Sequence, residues 1–93
     1  MKSILDTKTI KIHCDLGKVV MMIHHSQGEI KEIILSGAKG GTTKSGILES
    51  FSRLLNLLIR YKVPISEIAS ELDEIGVNHG TILSFPQAIA KEL

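Results

Sequence analysis

One cysteine, two prolines, no tryptophan and only three other aromatic residues (Phe51, Tyr61 and Phe85) occur in this chain of 93 residues. A single thiol, Cys14, excludes an internal disulfide framework and points to a reducing, cytoplasmic setting. So few aromatic rings exclude the stacking platforms of single-strand nucleic-acid binders. Charge of either sign is scarcely in excess: 11 Lys and Arg stand against 10 Asp and Glu, a net charge of +1. That balance excludes a general duplex nucleic-acid binder, which needs a basic surplus. No apolar run approaches the roughly 20 residues of a bilayer span. The opening "MKSILDTKT" lacks the apolar centre of an export signal, so neither membrane association nor secretion is expected.

What the chain does have is patterned apolar residues, 43% of the total, enough for one domain over residues 1–93. "TKTIKIHC" alternates, placing Ile10, Ile12 and Cys14 on one face and Lys11 and His13 on the other. "KVVMMIHH" is apolar on both faces from Val19 to Ile23, and "EIKEIILS" repeats the strand signal with Ile30, Ile33, Ile34 and Leu35. Turns containing Gly17 and Gly28 separate the three, which predicts an antiparallel meander. Two strands with apolar residues on both faces need cover on both. A chain this short has few elements to supply it, so a homo-oligomer, dimer or tetramer, is expected.

"SGILESFSRLLNLLIRYK" predicts a long helix with Ile47, Leu48, Phe51, Leu54, Leu55 and Leu58 along one stripe. Glu49, Ser52, Arg53, Asn56 and Arg60 fall on the opposite face. "VPISEIASELDEIG" predicts a second helix, begun at Pro64 and stopped at Gly76, with Ile65, Ile68, Ala69, Leu72 and Ile75 inward. In "SFPQAIAKEL", Ser84 and Gln87 have capping-box spacing with Pro86 in the first turn, which predicts a short closing helix. The expected fold class is therefore α+β: a three-stranded antiparallel meander, two helices and a short C-terminal helix.

This order of elements, with "LLNLLIRYKVPISEIASELDEIG" and "SFPQAIAKEL" as its strongest parts, resembles the TSCPD domain over residues 17 to 93. That domain occurs at the C-terminus of vitamin-B12-dependent ribonucleotide reductases and in short stand-alone proteins. The resemblance implies the fold and a loose link to nucleotide ligands. The chain departs from the family's cysteine-bearing closing motif, having Phe85 there, and its Gly-rich loop has no cysteine. Thiol or metal chemistry implied by those cysteines is not carried over. In size and type the chain is also similar to small phage anti-defence sponge proteins, which hold cyclic oligonucleotide immune signals without cleaving them.

"SGAKGGTTKSG", joining the third strand to the long helix, is the candidate anion site. A helix start offers unpaired N–H groups and partial positive charge. Gly40 and Gly41 let the backbone approach a phosphate, Thr42, Thr43 and Ser45 add hydroxyls, and Lys39 and Lys44 add charge. It is not a nucleotide-hydrolysing P-loop, because Ala38 and Thr43 stand where its glycines belong. The plainer alternative is a connection capped by Thr43 or Ser45. Arg53 and Arg60, seven residues apart, share a helix face and suit either phosphate contact or pairing with surface acids such as Glu49. His24 and Asn78 are further ligand-contact candidates, with solvent-facing roles as the alternative.

His13, His24, His25 and His79 show no metal-ligand spacing, and Cys14 and His13 are neighbours in a strand, which sends them to opposite faces. No catalytic set, metal or cofactor is expected. The function expected is non-enzymatic capture of a small phosphate-bearing nucleotide. The alternative is an accessory module docking on a reductase-like partner.

Overall fold

A computed structural model describes residues 6–38, 41–76 and 82–93. Three strands, β1 (Asp6–Cys14), β2 (Gly17–Ser26) and β3 (Glu29–Ser36), form one antiparallel sheet in the order β1-β2-β3. Three helices follow: α1 (Thr43–Arg60), α2 (Ile65–Asp73) and α3 (Phe85–Glu92). The expected meander, two helices and short closing helix are all present.

Alternation sets the register. Ile12 pairs with Val19, Ile10 and Leu35 flank Met21, and Ile23 pairs with Ile33, so successive inward residues meet across the strands. The β2–β3 connection is the two-residue turn Gln27-Gly28, with φ of 55° and 79°. Two positive φ values make this the turn whose twist matches paired strands, and glycine carries the second of them without strain. Met21 and Ile89 are fully enclosed, and Val19, Ile23, Ile33 and Leu48 nearly so. They form a core between one face of the sheet and the helices, into which Phe51 and Phe85 bring tilted rings 4.9 Å apart.

Three local ties hold α3 to this frame. Ser84 caps it by accepting from the Gln87 N–H at 3.2 Å, as the spacing predicts. The Gln87 side chain does not reach back to close the capping box; it donates to the Asp73 carbonyl at 3.1 Å, at the end of α2. Asp15 accepts from the Phe85 N–H at 2.8 Å and so joins the β1–β2 turn to the start of α3.

The long helix is rotated from the expected stripe. Leu48, Ser52 and Leu55 are its buried residues, while Leu54 is 60% exposed and Leu57, Leu58 and Ile47 are also exposed. The cause lies in β3, whose outer edge would otherwise present unpaired backbone groups. The Ser52 hydroxyl accepts from the Leu35 N–H at 2.9 Å and donates to the Leu48 carbonyl. Asn56 accepts from the Ile33 N–H at 2.7 Å and donates to the Ile33 carbonyl at 2.9 Å. The two residues placed on the solvent face by periodicity are thus the ones that seal the sheet. Satisfying buried backbone groups outweighs centring the apolar arc, since each unmet group costs about 1–3 kcal/mol.

Candidate functional site

At the start of α1 the cap is Thr42, not Thr43 or Ser45: its hydroxyl accepts from the Ser45 N–H at 3.1 Å. Gly41, at φ 82°, makes the turn into that cap, a conformation that other residues adopt at a cost. Lys44 leans back to the sheet and donates to the Lys18 carbonyl at 2.7 Å, tying α1 to the β1–β2 hairpin. Its ammonium therefore has a structural partner besides any role with an anion. Lys39, Gly40 and Asn78 lie outside the described residues.

Because Ser52 and Asn56 press α1 against β3, the polar flank of α1 and the outward face of β3 meet at an angle. The result is a groove. Ser36, Ile34 and Glu32 alternate outward along β3, and Ser45, Glu49, Arg53, Asn56 and Arg60 run antiparallel to them along α1. Ser45 and Arg53 line one depression of about 280 Å³ with Ile34, Ser36 and Glu49. His24 lines a second, of about 460 Å³, with Glu32, Arg60, Lys31 and Lys62. Asn56 borders both and marks the boundary between the two depressions.

Electrostatically the groove is mixed. Arg53 donates to the Glu49 carboxylate at 2.8 Å, an exposed pair four residues apart that contributes only a few tenths of a kcal/mol and yields readily to a better anion. His24 lies with Nδ1 3.3 Å from the Thr7 hydroxyl, while its Nε2 is buried with no hydrogen-bond partner among the described residues. Of the predicted contact residues, Ser45 and Arg53 thus line the first depression and His24 the second, while Gly41, Thr42 and Thr43 stand at the α1 start and line neither. Asn56, Lys31 and Lys62 were missed as lining residues. The spacing of Asn56 from Arg60 and Arg53 on one helix flank was a usable signal, but nothing local marked Lys31 or Lys62.

Residues 2–93, the whole of the described fold included, match the model of the TSCPD domain. The chain belongs to the TSCPD domain family. The match takes in β1 as well as the part from residue 17 onward. No curated protein and no solved structure matches the chain significantly. In this TSCPD domain, Phe85 fills its place in the closing motif by packing on Phe51. Among the described residues no three His, Cys, Asp or Glu side chains cluster as metal ligands, and no helix is long and apolar enough to cross a membrane.

The one thiol of the TSCPD domain is shut in the core beside the Gly17 carbonyl, 3.5 Å from its sulfur. Burial pushes the Cys14 thiol above its ordinary range, and Asp15 adds to this, while a backbone hydrogen bond from Leu16 and the charge of Lys44 partly offset it. Cys14 is expected to react with iodoacetamide at neutral pH only as fast as the domain opens. Labelling of native and urea-unfolded protein followed by mass spectrometry checks this; equal rates would contradict it.

Proposed function

We propose that this TSCPD domain is a non-enzymatic binding module that captures a small phosphate-bearing nucleotide in the groove between α1 and β3. The observation that carries the reading is the convergence of Ser45, Arg53 and Asn56 on a groove adjoining the Gly-rich corner. Guanidinium, hydroxyl and amide groups suit phosphate oxygens and base edges, and the half-buried Ile34 gives a base an apolar floor. A wall of donors fits holding a ligand rather than turning it over. The finer form of the reading is a sponge, removing a cyclic oligonucleotide immune signal in the cytoplasm.

The sheet face beside the groove supports a homo-oligomer. Val20, Met22 and Ile34 lie on the side away from α1's core contacts and stay half-buried in the monomer. A second copy laid on that face would close over the ligand. Thermal denaturation with a panel of mononucleotides and dinucleotides tests the reading. A ligand at 100 times its Kd is expected to add about 2.7 kcal/mol of stability, and Arg53→Ala to remove most of that gain without unfolding the domain. No shift with any member of the panel would overturn it.

A second reading, docking on a ribonucleotide-reductase-like partner, draws on a different surface. Phe51, Leu54, Leu58, Val63, Ile68 and Leu72 line an apolar furrow of about 390 Å³ between α1 and α2. Retention of the purified domain by such a reductase, lost on Leu54→Asp, would favour this reading.

A further inference from the structure

Beyond Asn56 the groove ends in a second group of cations, and its construction is unusual. Helix α1 closes with the Val63 N–H bonded to the Leu58 carbonyl at 3.1 Å and the Lys62 N–H bonded to the Ile59 carbonyl at 3.0 Å. This paired closure calls for a left-handed residue at Lys62, which sits at φ 62°. Glycine is the ordinary occupant of that place, and a residue with a side chain is strained there. Lysine is held where glycine would be easier, and its side chain lines the wall of the depression that also contains Arg60 and Lys31.

The charges there are only partly met, since the Glu29 carboxylate feels Lys62 as well as Lys31. Lys31 is paired with Glu29 at 3.1 Å, but among the described residues neither Arg60 nor Lys62 has a carboxylate within ion-pair distance, although Glu32 lines the same depression. Arg53 belongs to the other end: its guanidinium is drawn toward Glu49, four residues nearer the start of α1 and away from Arg60. The two depressions on either side of Asn56 therefore each offer an arginine, Arg53 in an exposed pair with Glu49 and Arg60 beside Lys62, seven helical residues or about 10 Å of axis apart.

We infer that the groove takes a ligand with two separated phosphates, a dinucleotide rather than a mononucleotide: Arg53 with Ser45 holds one phosphate, and Arg60 with Lys62 holds the other. This rests on the reading of the groove as a nucleotide site and specifies its ligand class. The backbone strain at Lys62 is then kept for the charge that its side chain delivers, in line with the tendency of strained residues to gather at binding sites.

The test compares AMP with the linear 5′-phosphorylated diadenylate pApA by isothermal titration of the full chain. The diadenylate is expected to bind at least 10-fold more tightly than AMP. Arg60→Ala and Lys62→Gly should each erase most of that advantage, whereas Arg53→Ala should weaken both ligands. Lys62→Gly separates binding from folding, because it relieves the backbone: its Tm should equal or exceed that of the parent while diadenylate affinity falls. Equal affinity for the two ligands, or unchanged diadenylate affinity in Arg60→Ala and Lys62→Gly, would overturn the two-phosphate inference and leave the nucleotide site standing. Binding of neither ligand would overturn both.

Discussion

Ile89→Ala is expected to destabilise the domain by about 3–4 kcal/mol, the upper range for a truncation in a fully closed site. Ile89 has no exposed surface, and its neighbours Ala88 and Ala90 are too small to collapse into the void. It is the most enclosed residue of α3, which packs on α2 and reaches β1, so its loss loosens both contacts at once. A domain of this length holds only about 5–14 kcal/mol in total, and the Tm should fall by about 15–25 °C. Urea unfolding is the check: the midpoint should drop sharply with an unchanged slope. A loss under about 1 kcal/mol would mean that α3 is not the lid on this core.

The second large effect concerns Asn56. Replacing it with Leu keeps the volume but strips both partners from Ile33, whose N–H and carbonyl it serves at 2.7 and 2.9 Å. Two orphaned backbone groups at a half-buried position cost about 2–4 kcal/mol. The amide of Ile33 should become the first in β3 to lose protection from hydrogen exchange, which separates an edge-sealing role from general packing loss. Asn56→Asp adds a finer test. Its carboxylate can accept from the Ile33 N–H but cannot donate to the carbonyl unless protonated. The penalty should be large at neutral pH and shrink as pH falls through the carboxylate range. A penalty independent of pH would show that the carbonyl needs no donor.

These two sites mark where the sequence is readable and where it is not. Alternation in "TKTIKIHC" and the turns at Gly17 and Gly28 disclosed the strands, because one-sided burial imposes a period of two. Ser84 and Gln87 disclosed the start of α3 because the capping contact spans three residues. The rotation of α1 was not legible. Apolar periodicity weighs Ser52 and Asn56 as solvent-seeking, and only the presence of an unpaired strand beside them turns both inward. The tie made by Asp15 was out of reach for the same reason, since its partner, the Phe85 N–H, lies 70 residues on. The candidate site was half legible: residue chemistry singled out Arg53, Ser45 and His24, but their junction depends on the α1–β3 contact. Lys44, counted among the anion ligands, turned out to bond the Lys18 carbonyl. Lys62 was passed over because a charged residue after a helix looks ordinary until its backbone angle is known.

The bond between helix and strand also works like two rulers of nearly equal pitch laid side by side. Ser52 and Asn56 are four residues apart, about 6.0 Å of helix, while Leu35 and Ile33 are two apart, about 6.7 Å of strand. The marks slip by about 0.7 Å at each step, so a third would be out by about 1.4 Å. The next mark along the helix is Arg60, whose guanidinium has no oxygen to accept from a strand N–H, and it lines the second depression instead.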